Sequence, residues 1–300
     1  MEKLYRPSGK VPGTSVLIVL AAAAAGGALA PLYAAASLYV PLIYVNIVPL
    51  VALYGWLTGK AAGLAARATV TLNPRAAGLL ALPGALAGFA LSWAAWMGLL
   101  HMFGHGHVRF PGAGAILGYL SSPGGWASLL AEPGAFLDSV REVYETGLWT
   151  IGSRSSCGSE LKGFHLLAVW TAELAIYLAF AAGAAANAAR TPYSPEAGAF
   201  LRAERQLPLG VATPEEPGQT LQVYGAMSIG NLEHLFSAPK TAPGDLGFYV
   251  TLHSHRGSPW GTADVVCKVM VGKKKEIRPI VNGAILAAPE MELIRARLSQ

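Results

Sequence analysis

Three hundred residues, 53% hydrophobic and only 13% charged, with a mean hydropathy of +0.42, exclude an ordinary soluble domain, in which about 25% charged residues is usual. A net charge of +5 suggests nucleic acid or anionic lipid, but its distribution excludes the first. Residues 1–100 hold six Lys/Arg against one Asp/Glu, residues 101–163 four against five, and residues 164–300 twelve against eleven. The basic excess lies in the apolar third, where it sets topology, and no basic–aromatic interleaving or RNA-binding motif accompanies it.

Lys3, Arg6 and Lys10 in the N-terminal segment 1–15 precede an apolar run that is too long for a signal peptide and lacks a cleavage site, so it reads as a signal anchor. Span 1 is expected over Val16–Tyr39, where Gly26 and Gly27 let a neighbouring helix come close. Span 2 is expected over Pro41–Leu64, in a tight hairpin with span 1. Asn46 is the one strongly polar side chain deep within it, and Pro31, Pro41 and Pro49 kink or end helix turns. Lys60, Arg67 and Arg75 flank the next connection. Span 3 follows over Ala77–Leu100 with Pro83, Ser92, Trp93 and Trp96, which places transmembrane helices 1–3 within residues 16–100.

Residues 101–163 form a long loop between spans. In it Phe136, Leu137, Val140, Val143, Tyr144 and Leu148 recur at helical spacing opposite Asp138, Arg141, Glu142 and Glu145, between Pro133 and Gly147. This predicts an amphipathic helix that lies on the outer leaflet or caps the bundle, or else a short helix simply packed on the other spans; a re-entrant segment around Ala113–Leu120 is a further alternative. Span 4, Phe164–Ala186, is apolar throughout except for His165, Thr171 and Glu173. Arg190, Arg202 and Arg205 follow it. Positive charge thus marks the N-terminus, the 2–3 loop and the segment after span 4, which predicts a multi-pass protein of the cell membrane with both termini cytoplasmic.

Residues 187–300 make the cytoplasmic part. Ser194–Leu207 is expected as a helix, Leu207–Thr220 as a Pro/Gly-rich linker and Leu232–Phe236 as a short helix. Phe248–His253 and Asp264–Val271 alternate as strands, and Ile277–Val281 is an edge strand because of Pro279. Pro289–Leu298 closes as a helix. Such a small α+β module buries few side chains and needs support from the membrane half, a partner or a metal. Cys157 and Cys267 fall on opposite sides of span 4 and define no disulfide.

Glu173 is the leading chemical candidate, since an ionisable group at bilayer depth usually faces a bundle interior or a pathway. Tyr177, one turn on, could donate to it, with Asn46, Ser92 and Thr171 as further polar partners. One reading is a proton- or cation-handling carboxylate; the plainer one is an interhelical hydrogen bond. His101, His105 and His107 at the outer end of span 3 could bind Zn²⁺ or Cu²⁺, or could simply end the span. Lys273, Lys274 and Lys275 form a solvated hairpin tip or touch anionic lipid head groups. No nucleophile motif, phosphate loop or cofactor motif is present.

The runs Y-R-P-S-G-K-V-P at 5–12, P-L-I-Y-V-N at 41–46, N-P-R at 73–75, S-W-A-A-W at 92–96, G-L-W at 147–149 and V-W-T-A-E at 169–173 resemble an uncharacterised family of bacterial four-span membrane proteins with a cytoplasmic C-terminal domain. The resemblance implies no activity. It implies C-x-x-C pairs in the tail at positions held here by Ser194 and Ala197, then Ser254 and Gly257, so that a zinc site is lost.

The sequence therefore predicts an α-helical membrane protein, a four-transmembrane-helix bundle with a small cytoplasmic α+β C-terminal domain. Its partners are the bilayer and a protein, or a second copy through the transmembrane helices. It reads as an interaction or assembly component rather than an enzyme. The alternatives are a transporter or channel-like subunit using Glu173, and a membrane enzyme with an outer-face His site.

Overall fold

The computed structural model describes residues 5–39, 46–103, 114, 118, 122, 131–147, 149–151, 159–204, 206–210, 247–256, 258–271 and 274–299. The chain divides into two compact units, a helical one, Gly9–Arg190, and a tail composed of Met1–Ser8 together with Thr191–Gln300.

In the helical unit a 3-10 turn at Gly13–Ser15 leads into α1, Val16–Tyr39. A π-type turn at Asn46–Leu50 leads into α2, Val51–Ala68. Then come α3, Pro74–Phe103; α4, Pro133–Thr146; the short strands β1, Trp149–Ile151, and β2, Ser159–Leu161; and α5, Phe164–Ala189. Three stretches are long and apolar enough to cross a membrane: Gly13–Ser37, Pro74–Leu100 and Phe164–Ala189. The unit is thus a multi-span helical region.

Of the second expected span, Pro41–Leu64, residues 41–45 lie outside the described ones. Within the described residues a π-type turn at Asn46–Leu50 gives way to regular helix at Val51; Pro49 has no N–H to give and its ring disturbs the preceding turn. The helix then runs on to Ala68. The α3 start is fixed by Asn73, whose Oδ1 accepts the Ala76 N–H at 3.1 Å, with Pro74 at the first helical position.

Glycines decide how these helices pack. Lipid tails are as apolar as leucine, so association in a bilayer rests on close packing rather than on expulsion of water. Gly26 of α1 meets Gly88 of α3, where an added Cβ on Gly26 would come within 2.9 Å of the Gly88 Cα. Gly55, Gly59 and Gly63 recur every four residues on α2 and face α5; a Cβ on Gly63 would lie 2.6 Å from that of Ala188. At one end of the bundle Ser15, Thr69 and Thr71 tie the start of α1 to the α2–α3 turn through hydroxyl contacts of 2.7 and 2.8 Å. In that turn Val70 adopts a φ of 52°, a left-handed conformation that β-branched residues rarely take.

The amphipathic helix α4 packs on the spans. Val143 is buried in a cluster with Trp96, Leu99, Leu100, Leu166 and Trp170, and Phe136, Val140 and Tyr144 pack against it, while Leu137 points outward. This apolar face of α4 is therefore packed within the helical unit. The Gly163 N–H donates to Tyr144 O at 2.8 Å and links the end of α4 to the start of α5.

The tail is a mixed α/β unit. Strands β3, Tyr193–Ser194, and β4, Ala199–Phe200, form a tight hairpin. A second sheet contains β5, Arg202–Ala203; β6, Leu207–Gly210; β7, Gly247–Ser254; β8, Trp260–Val271; and β9, Lys274–Ala287, followed by α6, Ala288–Ser299. The order is β5-β7-β8-β9, with β6 also on β7, and all pairings are antiparallel. Val250 pairs with Val265 and Leu252 with Ala263, and these residues, with Ala284 and Leu286, are buried. Met291 and Ile294 of α6 are buried as well.

The helix expected over Ser194–Leu207 is absent. Pro195 and Gly198, with φ at +59°, turn the chain back on itself, and Arg202–Ala203 then pairs with Ser254 and His253 of β7. Leu207–Gly210, expected within a linker, is strand β6. Tyr5 belongs to this unit too: its N–H donates to Gly283 O at 2.7 Å, its hydroxyl accepts the Tyr193 N–H at 3.2 Å, and its ring stacks on Trp260. The short helix expected over 232–236 lies outside the described residues.

Candidate functional site

Helical periodicity puts Leu166, Trp170, Glu173, Tyr177, Ala181, Ala185 and Ala189 of α5 on one buried face. Glu173, at 9% exposure, is the only charged side chain among the described residues that is buried. The Tyr33 hydroxyl of α1 donates to its Oε1. Tyr54 of α2 directs its hydroxyl at two backbone carbonyls, Gly26 O at 2.9 Å and Gly88 O at 2.8 Å, so one proton is shared where α1 and α3 touch. Tyr177 is fully buried and its hydroxyl donates to Thr58 Oγ1 at 3.2 Å.

The rings of these residues adjoin one another in a column through the unit, stacked at its start and tilted or edge-on beyond. Tyr33 lies on Tyr54 with centroids 4.8 Å apart, and Tyr54 on Tyr177 at 4.5 Å. Phe89 continues the column at 5.4 Å, followed by Trp93, Trp96 and Trp170, the last edge-on to Trp93 at 4.7 Å. Aromatic pairs in such geometries are worth about 0.5–1.5 kcal/mol beyond the area they bury. The carboxylate is thus one bonded member of a packed core contributed by α1, α2, α3 and α5.

The structure places the polar residues singled out in the sequence as follows. Tyr177 shares the buried face of Glu173 but bonds Thr58 instead of the carboxylate. Ser92 is buried and donates to Phe89 O one turn back at 2.7 Å. Thr171 is exposed and donates to Leu167 O at 2.8 Å. Thr171 satisfies its hydroxyl on its own helix, as Ser and Thr do inside helices, whereas Ser92 also meets the Tyr54 hydroxyl of α2. The Asn46 and His101 side chains, His105, His107, Lys273 and the side chains of Lys274 and Lys275 lie outside the described residues. Among the described residues no group of three or more His, Cys, Asp or Glu could hold a metal. Sequence reasoning missed Tyr33. Its one signal is a phenol inside an alanine-rich span, with nothing nearby in sequence to suggest its partner.

The tail carries its own polar clusters. His253 Nε2 meets Asp264 Oδ2 at 2.8 Å, and Asp264 Oδ1 accepts the Gly283 N–H at 2.6 Å. Burial pushes the Asp264 carboxyl up, but the bonds from His253 and Gly283 outweigh it and hold the group below its ordinary value. Arg295 of α6 bonds Glu204, which also accepts Ser254 Oγ at 2.5 Å; the guanidinium holds Glu204 below its ordinary value against the opposing effect of burial. Of the four positions implied as lost zinc ligands, Ser194 and Ala197 share one turn, where Ser194 Oγ accepts the Ala197 N–H at 3.3 Å. Ser254 instead joins Glu204 and Arg295, and Gly257 lies outside the described residues. The hydroxyl beside Ser194 is that of Ser258, at 3.0 Å. His255 Nδ1 and Thr262 Oγ1 are buried without a hydrogen-bond partner among the described residues.

Comparison with family models, with curated proteins and with solved structures gives no match. The depressed carboxyls give the tail a defined acid response. A group whose folded-state pKa lies below its unfolded value contributes stability above the unfolded pKa and loses it as pH falls through the folded one. The ordinary values are 3.8 for Asp264 and 4.5 for Glu204. Tail stability should accordingly be level above about pH 5 and fall progressively below about pH 4. Tryptophan fluorescence of the full chain during acid titration should show this, with Asp264→Asn and Glu204→Gln each flattening part of the slope.

Proposed function

We propose that the protein is a four-span membrane anchor that presents its tail in the cytoplasm to a protein partner. The observation that carries this reading is the state of Glu173, bonded to Tyr33 within a core whose helices touch at glycine backbones. A carboxylate committed in this way suits holding α1 to α5 better than passing ions along a pathway.

The span count is supported by Tyr5. It packs in the same unit as Tyr193, Trp260 and Gly283, so both ends of the helical unit lead to one compartment and the number of crossings is even. Three helices qualify as spans on length and composition, and α2, locked to α5 by three glycines, supplies the fourth. Lys10, Arg67, Arg75 and Arg190 near those ends favour the cytoplasm for that compartment. Kinship with the bacterial four-span family is part of the same reading.

In the tail, Ile277 on β9 and Leu293 on α6 are large apolar side chains at 64% and 53% exposure. A photoreactive amino acid at either position, in the full chain expressed in its native membrane, should give a discrete protein adduct upon irradiation. Adducts to lipid alone, or none at either position, would remove the interaction role.

A further inference from the structure

We propose that the outward face of α2 docks a transmembrane helix of another protein, one that brings a carboxylate to Lys60; this rests on α2 being a span. The two faces of α2 follow different rhythms. Inward, Gly55, Gly59 and Gly63 recur every four residues and are consumed by packing on α5. Outward, Leu53, Leu57, Lys60 and Leu64 follow one another at intervals of four, three and four residues, and all are exposed. The second rhythm is that of a heptad seam, along which one helix packs its side chains into the gaps of another. Its three leucines, at 51%, 37% and 68% exposure, are left uncovered among the described residues.

Lipid tails suit the leucines but not the lysine. Lys60 lies eight residues before Ala68, about 12 Å along the axis, and its ammonium turns the other way, to 5.1 Å from the Trp56 ring centroid. A cation–π contact thus holds it on the seam instead of letting it climb towards the aqueous boundary. A cation at that depth is costly until a carboxylate meets it. The spans of this chain have none to offer. Residues 9–131, which include all of α1, α2 and α3, contain no Asp or Glu. Glu173, the one carboxylate of α5, is turned inward onto Tyr33. A second copy fails for the same reason, since its spans hold no free acid and the same face of its α2 would set lysine against lysine. The occupant is therefore a different chain, a helix apolar along its length with one Asp or Glu at the depth of Lys60. One lysine in a leucine seam also fixes the register, because a partner shifted by a turn leaves both charges unpaired in the bilayer.

The test places the full chain in phosphatidylcholine vesicles with a leucine-rich transmembrane peptide that carries one Glu, or one Gln, eight residues from an end of its apolar segment. Energy transfer between labelled chain and labelled peptide should favour the Glu peptide about fivefold. Lys60→Met should abolish that preference and Lys60→Arg should keep it, while Arg75→Gln, on α3, should leave it at the wild-type level. Lys60 is exposed, so its variants fold, and circular dichroism checks that. Equal transfer to the two peptides, or an undiminished preference in Lys60→Met, overturns the docking face. Transfer between two labelled copies of the chain that disappears in Lys60→Met overturns the assignment to a different protein. In the native membrane, a photoreactive amino acid at Leu57 should give an adduct to a membrane helix containing Asp or Glu, and Lys60→Met should remove it; adducts to lipid alone overturn the proposal. Leu64→Cys, on the same seam, separates this idea from the one beneath it. If an impermeant maleimide labels it in peptide-free vesicles as readily as Leu293→Cys, α2 is not a span and the four-span reading fails. If it is protected while the Glu preference is absent, the docking face alone fails.

Discussion

Replacing Gly59 with leucine is expected to separate α2 from α5 and to destabilise the helical unit by about 3 kcal/mol or more, at or above the usual range for overpacking. A Cβ at Gly59 would come within 2.8 Å of both the Ala181 Cα and the Ala184 Cβ. These are backbone-fixed atoms, so no side chain can swing aside, and the helix axes themselves must part. Parting them opens the contacts at Gly55 and Gly63 together, since the three glycines lie on one line. Stability in mixed micelles against sodium dodecyl sulfate should show an early transition for Gly59→Leu and a smaller shift for Gly59→Ala. Gly183→Leu is the control: an added Cβ there meets nothing within 4 Å, and stability should match wild type. Equal behaviour of the Gly59 and Gly183 variants would mean that α2 does not pack on α5 in the membrane.

Tyr33→Phe is the second large effect. It removes the donor to Glu173 Oε1 and strands a carboxyl in a packed interior, which costs about 1–3 kcal/mol. Glu173→Gln keeps an acceptor for the Tyr33 hydroxyl and should cost well under half as much. The two changes share one interaction, so the double variant should be less destabilised than the sum of the singles. The same Gln variant decides between anchor and transporter. In proteoliposomes, wild type and Glu173→Gln should show the same background proton and cation leak. A flux that disappears in Glu173→Gln while stability is retained would restore the transporter reading and remove the anchor.

These effects show which parts of the molecule its sequence exposes. Val16–Tyr39 and Phe164–Ala186 are legible as spans because over twenty consecutive apolar residues permit little else. The close approach at Gly26 is legible for a similar reason, since paired glycines in a span have few other uses. What Glu173 bonds is not legible. Its partner is 140 residues away, and helix rotation and register, set by glycines on other helices, decide which hydroxyl arrives. Tyr177 was the natural candidate by spacing, but Thr58 on α2 takes its hydroxyl. The stretch after Ser194 fails for a related reason: its local composition permits a helix, and only the unseen β7 edge makes a strand of Arg202–Ala203. The π-type turn before α2 contains Pro49, whose effect on a helical turn is legible in the sequence though its extent is not.

The place of Tyr5 on β9 bears on how the protein is made. Tyr5 leaves the ribosome before every residue it touches, and Gly283, which accepts its backbone N–H, follows only after the whole helical unit. The segment must wait, undocked, while the candidate spans between are made. On the four-span proposal, docking of Tyr5 on β9 thereby reports on every crossing between them, since a span inserted the wrong way round would leave the two on opposite sides of the membrane with nothing to bind.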